Sequence, residues 1–458
     1  MKTYCKDVEL NNENKVFDSI SKYISSTGKY KQKKMIRFIS QYSNQSRKFC
    51  YENYIPGNDF FTNINTSLAK EMADAIKNRT VEKLIYKLLY NEKVILYRNI
   101  KDPGSKKIRT LGLESVLFRL FEAVAKDGAE PMFKAKLGQY QVASIKGRGQ
   151  NYGRKAIIRW TSRDPQGTRY FAKADICQCY PSISHDILLS LLKRDLRKCP
   201  DLIYLFELFI KLYSEYPKPG QKDANRGILI GSPVSKDLCN YYLSYLYHYL
   251  SSEALFVTRK TKNGLKKVRL IKHIIFYMDD IVIFGSDKKN VIKAMMLAEL
   301  YLNTHLALTI KPNWQISKFQ YKTNGKFHGS SLDFMGYVFH RNTMYERFYG
   351  NRITNLAKTW TTIRPVIFLR SRRVYRRFLK MIVNYKKVSS FYAMGVCSRY
   401  GWFKYSDSYT INKKEKIQTL VRVASRIVSD YAKEKKYNRR KYYHMLRRLS
   451  NGKKSFKS

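Results

Sequence analysis

The chain has 458 residues, 44% of them apolar and 14% aromatic, which is enough to build several packed cores and too much for a disordered chain. Lys and Arg number 88 against 35 Asp and Glu, and a net charge of +53 self-repels unless a polyanion neutralises it, which points to nucleic acid. The longest apolar stretch, Leu202 to Tyr213, is interrupted by Glu207 and Lys211 and falls short of the ~20 residues a membrane span needs, so no membrane partner is expected.

Met1 to Asp7 carries no apolar h-region, so a reducing, cytoplasmic compartment is expected. The seven cysteines form no CxxC pair and the seven histidines show no zinc spacing. Cys177 and Cys179 stand two apart, which predicts packing residues on one face of a strand. Within the first 85 residues, Leu68 to Ile76 and Val81 to Leu89 are expected to be helical.

From Val94 to Tyr97 the chain predicts a strand. A turn at Asp102-Pro103-Gly104-Ser105 and a basic return through Lys106, Lys107 and Arg109 follow, then a helix over Glu114 to Val124. Ser144 to Gly153 fits neither phosphate-loop spacing and reads as a flexible basic loop. Arg169 to Ile176 predicts a strand, His185 to Tyr216 a long helical stretch, and Lys236 to Leu250 another helix. Asn263-Gly264 predicts a hairpin between Leu255 to Lys260 and Leu265 to Ile271.

Two apolar strands then flank Met278-Asp279-Asp280. A helix is expected over Lys289 to Thr304, with strands near Leu306 to Ile310 and Phe334 to Phe339. Beyond residue 350 the chain is expected to be helical, with 29 Lys and Arg against 4 acids. Six of those cations fall between Arg370 and Lys380, and Arg372, Arg373, Arg376 and Arg377 are candidate contacts to a nucleic-acid backbone.

Two adjacent acids between apolar strands repel one another and lose hydration, so they need a compensator. A divalent cation takes oxygen ligands directly and also serves phosphoryl chemistry. Asp175, at the end of the apolar strand Phe171 to Ile176, is the natural third carboxylate.

Tyr277-Met278-Asp279-Asp280 resembles the YxDD box of reverse transcriptases, and Asp175-Ile176 with Cys179 to His185 resembles their first palm motif. Gly231-Ser232-Pro233, Leu308 to Pro312 and Phe334 to Tyr337 follow in the family's order. The resemblance covers roughly residues 90 to 345. It implies an α+β right-hand polymerase: a helical basic extension over 1–85, basic fingers over 86–170, a palm over 171–345 with part of the fingers interleaved, and a basic helical thumb over 346–458. The palm would be an antiparallel sheet with packed helices.

The family's roles carry over by position. Asp175, Asp279 and Asp280 would be catalytic and, with Ile176, would form the binding place for two Mg²⁺, with Mn²⁺ as a substitute. Tyr180 would lie under the sugar and exclude a ribose 2′-hydroxyl. Lys101 and Arg109 resemble the fingers pair on the triphosphate, with Lys106 or Lys107 as alternatives to Lys101. Gly231 and Ser235 match the loop under the templating base. Phe334, Met335, Gly336 and Tyr337 resemble the primer grip.

Two positions depart from the pattern. Ile230 stands where the retroviral family has glutamine, which is similar to diversity-generating retroelement enzymes and to bacterial "unknown group" and abortive-infection enzymes. Trp314 occupies the usual place of a lysine that protonates pyrophosphate, leaving Lys311 or Lys318 as substitutes. The resemblance implies RNA-templated DNA synthesis from dNTPs, a structured non-coding RNA as template, a bacterial anti-phage role, and room for a homo-oligomer. A retroelement-type enzyme and a non-catalytic RNA-binding scaffold stay open as alternatives.

Overall fold

The computed structural model describes residues 3–26, 28–101, 108–252, 255–261, 264–349, 352–384 and 387–432. The turn expected at Asp102 to Ser105, the alternatives Lys106 and Lys107, Asn263 and the end of the basic tail lie outside the described residues. The chain forms two compact units. One takes Met1–Lys146, Ala172–Ile283 and Lys289–Gln315; the other takes Gly147–Phe171, Phe284–Lys288 and the described part of Ile316–Ser458. Both α and β elements are present throughout, consistent with an α+β class.

The first unit begins with helices, as expected. Glu13–Ser26 buries Val16, Ile20 and Ile24 at four-residue steps, and Asp59–Lys77 buries Phe61, Leu68, Met72 and Ile76. These two stripes pack on each other because apolar residues at i and i+4 share a helix face. The helical stretch expected from His185 to Tyr216 forms as two helices, His185–Leu196 and Pro200–Glu215. Pro200 has no N–H to donate and holds Cys199 in a non-helical backbone (φ −134°), so the first helix cannot run through.

The central sheet is built from His273–Tyr277, Asp280–Gly285 and Tyr170–Asp175, in that order, with Gln315–Lys318 beyond the last. Its strands bury Ile274, Ile275, Phe276, Ile281, Val282 and Ala172. The strand expected at Leu306 to Ile310 does not form. Ala307 is left-handed (φ +47°) and Pro312 lacks a donor, so only Ile310 bridges Ile176. Cys177 and Cys179 do not share a strand face either, because the strand ends at Asp175 and Cys179 opens the short helix Cys179–Ser182.

In the second unit the expectation of helix beyond 350 is corrected. Arg352–Ile363 is a strand paired antiparallel with Tyr337–Tyr349, running from Tyr349↔Arg352 to Tyr337↔Ile363. Its closing run, Trp360-Thr361-Thr362-Ile363, is aromatic and β-branched and suits a pleated surface. Helix begins at Pro365, where proline at the first turn loses no hydrogen bond. Pro365–Val383 buries Ser371, Tyr375, Phe378 and Ile382 along one stripe against Ala393, Val396, Phe403 and Leu420. No described helix is long and apolar enough to cross a membrane.

Candidate active site

Three strand ends meet at the acids. The strand Tyr170–Asp175 lies beside Asp280–Gly285, and the Ile176 amide donates to the Asp279 carbonyl at 3.0 Å. On the other side of Asp175, the Lys311 amide donates to the Asp175 carbonyl at 2.9 Å and the Cys177 amide to Thr309 at 2.8 Å. Two residues next to the acids, Gln178 (φ +43°) and Met278 (φ +55°), hold left-handed backbones that cost a non-glycine residue energy. Such strain persists only where the surroundings over-determine it, and here it turns the chain sharply after Asp175 and before Asp279.

The electrostatics are unfavourable without a cation. Burial pushes the Asp279 carboxyl up to about 6, and repulsion from Asp175 and Asp280 adds to it. The Asp175 Oδ1 atom is buried without a hydrogen-bond partner, while Lys311 Nζ donates to its Oδ2. That hydrogen bond raises the Lys311 ammonium above its ordinary value. An orphaned carboxylate oxygen beside mutually repelling acids fits a divalent cation. Among the described residues no set of three His, Cys, Asp or Glu side chains converges as a ready metal centre, so oxygens from a substrate would have to complete the coordination.

Tyr180 joins this cluster. Its half-buried ring carries a hydroxyl that donates to Met278 Sδ at 3.9 Å, its carbonyl accepts from the Ile228 amide at 3.0 Å, and burial pushes its pKa up. Beneath it, Cys179 Sγ lies 3.6 Å from Cys239 Sγ. His185, buried, binds the Gly227 carbonyl through Nε2 at 2.6 Å and Ser214 Oγ through Nδ1 at 2.9 Å, which fixes the loop that leads to Ile230.

Gly112, in the ribbon formed by Ile95–Lys101 and Ile108–Glu114, donates to the Ile230 carbonyl at 3.0 Å. A Cβ on Gly112 would lie 2.8 Å from Leu229 Cδ2. A Cβ on Gly231 (φ +120°) would lie 3.0 Å from the Gly112 oxygen. Glycine is needed at position 231, where the positive φ and a backbone oxygen leave no room, whereas a side chain at position 112 would require Leu229 to shift. Tyr97, Thr110, Gly112, Pro181, Tyr213 and Ile230 line the cleft between ribbon and loop.

Other candidates are not brought together. In the ribbon Lys101 pairs with Ile108 and Arg109 with Ile100, so Lys101 and Arg109 fall on opposite faces. Ser235 is buried and its Oγ has no hydrogen-bond partner. Met335 and Gly336 form a two-residue turn with φ of +52° and +82°, and Phe334, Met335 and Tyr337 are buried in the second unit's core, where a Cβ on Gly336 would strike Trp402. Arg372 and Arg376 both hold Glu415, whereas Arg373 and Arg377 are exposed. Lys318 donates to the Tyr321 hydroxyl at 3.0 Å.

One residue that patterning alone passes over is Glu122. It is fully buried and accepts from the Tyr213 hydroxyl at 2.5 Å and from Ser232 Oγ at 2.8 Å. Ser232 Oγ in turn accepts from the Val234 and Ser235 amides, so Glu122 anchors the Gly231-Ser232-Pro233 loop from below. Its signal is an acid four residues after Phe118 on an otherwise apolar helix face.

The family model of reverse transcriptases (RNA-dependent DNA polymerases) matches residues 100–339, just over half of the chain, and spans Asp175, Tyr180, the Ile230-Gly231 loop and the Asp279-Asp280 turn. The chain belongs to the reverse transcriptase family. Among curated proteins none matches it. The family's reaction is RNA-directed DNA polymerisation, a nucleotidyl transfer that takes a nucleic-acid template and dNTPs and generally uses divalent metal ions.

Proposed function

We propose that this reverse transcriptase extends a primer by two-metal nucleotidyl transfer at Asp175 and Asp279, with Asp280 in support. The observation that carries this reading is the meeting of Asp175 and Asp279 on adjacent strand ends with a buried carboxylate oxygen left unpaired. Asp175, Asp279, Asp280 and the Ile176 backbone would hold Mg²⁺, or Mn²⁺ in its place. When bound, the ions would lower the pKa of the primer hydroxyl and neutralise charge on the triphosphate. Tyr180, against Met278 of the acidic turn, would present its ring below the sugar and favour dNTPs. Ile230 offers no hydrogen bond from its side chain, so selection at this wall would rest on shape, set by Gly112 and Gly231. Lys311, in contact with Asp175, would stand where a proton donor to pyrophosphate is needed.

The remaining parts follow a right-hand plan: an extension over 1–85, fingers over 86–170, palm over 171–345 and thumb over 346–458. Arg109 or Lys101 would meet the triphosphate, Ser235 would support the templating loop, Phe334 to Tyr337 would serve as primer grip, and Arg373 and Arg377 would contact the backbone. The template would be a cognate structured non-coding RNA and the setting bacterial anti-phage defence, as in unknown-group and abortive-infection enzymes. The net charge of +53 and the apolar Ile230 support that placement.

The test is to purify the protein with its accompanying RNA, add Mg²⁺ and labelled dNTPs without external template, and sequence RNA and product. DNA complementary to the RNA is expected. Asp279→Asn should reduce synthesis by about 10³-fold, since metal-borne charge stabilisation is worth several kcal/mol. Tightly bound RNA with no DNA from the intact protein would sink the polymerase reading and favour a scaffold.

A further inference from the structure

On the outward face of the second unit's long strand pair, side chains that no core uses form a row of rings. Alternation decides which residues they are. In the strands Tyr337–Tyr349 and Arg352–Ile363, Phe339, Ala357 and Thr361 are buried, whereas His340 and Trp360 are half-buried and Lys358 is exposed. His340 and Trp360 stand directly opposite one another, and their rings stack with centres 5.3 Å apart and planes at 18°. The imidazole is fixed by Gln320 Oε1 at 3.2 Å and Thr362 Oγ1 at 2.9 Å.

A small hairpin extends the row. Tyr321–Thr323 and Lys326–His328 pair across Asn324-Gly325, whose φ of +48° and +76° close a two-residue turn. Strands this short are marginal alone, so the base holds them. The Gln320 amide donates to the Ser330 carbonyl at 3.0 Å, the Ser330 amide to the Lys318 carbonyl at 2.9 Å and the Phe319 amide to the Arg169 carbonyl at 2.8 Å. The register sets Phe327 opposite Lys322 on one face of the hairpin and His328 opposite Tyr321 on the other. Phe327, 50% exposed, has its ring centre 6.4 Å from that of Trp360, and Lys322 Nζ lies 5.7 Å from the Phe327 centre. Three adjoining rings are thus held on a tied backbone with a cation beside them.

We propose that Phe327, Trp360 and His340 form a base-stacking platform for a single-stranded stretch of nucleic acid, built wholly within the second unit from none of the residues around Asp175 and Asp279. The rings select the occupant. Every base has a π-face that stacks on an aromatic side chain, and a base brings a phosphate for a neighbouring ammonium to meet. A duplex keeps those faces inside its own stack, so only an unpaired strand can lay them on the platform. Selection does not rest on uncovered charge, since the same face also carries Asp333, opposite Val338 and held by Arg364 at 2.7 Å. Fixing the rings in advance limits the ordering lost on binding. Rings that only clip the hairpin to the sheet would affect melting when shortened, and not binding.

The experiment uses the full chain and Phe327→Leu, which keeps apolar bulk at a half-exposed position and removes the planar face. A labelled 12-nucleotide uridine RNA is titrated without Mg²⁺ or nucleotides across a salt series. The variant is expected to lose about tenfold in affinity, the scale of one stacked base, with its salt slope unchanged because no cation has been removed. Phe327→Tyr should restore binding. Lys322→Ser should instead lower the slope by about 0.7, the share of one phosphate contact on a single strand. Binding of a blunt RNA duplex of the same length, extension of a short primer–template and the melting temperature should be the same for Phe327→Leu and the unaltered protein.

Unchanged affinity for the single strand would overturn the platform, as would an equal loss on the duplex, or a lowered melting temperature with binding intact. The polymerase reading is judged separately, by whether the unaltered protein extends the primer–template, so either can fail alone.

Discussion

Glu122 shows how a single buried carboxyl organises chemistry it does not touch. It receives hydroxyls from Tyr213 and Ser232, while its Oε2 is buried without a partner. Burial raises its pKa well above the ordinary value, with repulsion from Glu114 adding to the shift. A carboxyl whose folded-state pKa lies above its unfolded one binds its proton more tightly in the native state. Its contribution to stability is therefore present at low pH and lost as pH rises above the ordinary glutamate range. Glu122→Gln keeps a carbonyl acceptor and removes the titration. Its unfolding midpoint should vary less with pH than that of the unaltered protein, with dNTP KM preserved. Glu122→Ala leaves two buried hydroxyls without their acceptor, at about 1–3 kcal/mol each, and should raise KM for dNTPs more than it lowers kcat. Matched kinetics and melts on both variants check this, and an unchanged KM in Glu122→Ala would break the link to the loop.

Turns and strand registers decide which side chains can cooperate. The ribbon of Ile95–Lys101 and Ile108–Glu114 separates Lys101 from Arg109 because side chains alternate across a strand, whatever their spacing in sequence. In the second unit, the long strand Tyr337–Tyr349 is tied down by Arg341, 2% exposed, whose Nη1 donates to the Pro165 carbonyl and to Thr168 Oγ1 at 3.1 Å and whose Nε donates to the Gln320 carbonyl at 3.1 Å. Burial lowers its pKa to about 10, and it stacks 4.9 Å from the Phe319 ring centre. Arg341→Ala would strand these acceptors and leave a cavity, at about 3 kcal/mol or more. Arg341→Lys should recover only part, because an ammonium cannot match the planar fork. Denaturant unfolding measures it, and a loss below about 1 kcal/mol would show that water replaces the guanidinium.

At the scale of the whole chain, charge is the dominant variable. Nearly half of the +53 total lies in the less than a quarter of the chain beyond residue 350, where 29 cations face 4 acids, and two of the arginines there are already held by Glu415. Burial raises that carboxyl, but hydrogen bonds from Arg376 and Arg372 outweigh it and leave Glu415 below its ordinary value, so this pair of cations is partly neutralised within the protein. Enough remain to make RNA binding steeply salt-dependent. For six or more neutralised phosphates, affinity should fall by about 10³-fold between 50 and 200 mM salt. A filter-binding series would test this, and a fall below about tenfold would mean that recognition rests on base and stacking contacts instead.

Much of this protein was legible from sequence because its signals are local. The order of Asp175, Gly231-Ser232-Pro233 and Tyr277 to Asp280, the helices over Leu68 to Ile76 and Val81 to Leu89 and the polyanion-seeking charge are carried by residue type and spacing. The apolar strand Phe171 to Ile176 ends in Asp175, and the acidic turn at Asp279 follows a second apolar strand, so their kinship is written in the local pattern. Three things needed the tertiary structure. Strand register put Lys101 and Arg109 on opposite faces, a two-residue periodicity that depends on which partner lies across. Long-range pairing drew Arg352–Ile363 into a sheet where composition read as helix, because β-structure depends on a distant neighbour's backbone. Burial turned Glu122 from an ordinary helix acid into the anchor of the Gly-Ser-Pro loop and left Asp175 Oδ1 without a partner, since desolvation is a property of the packed chain and not of the residue.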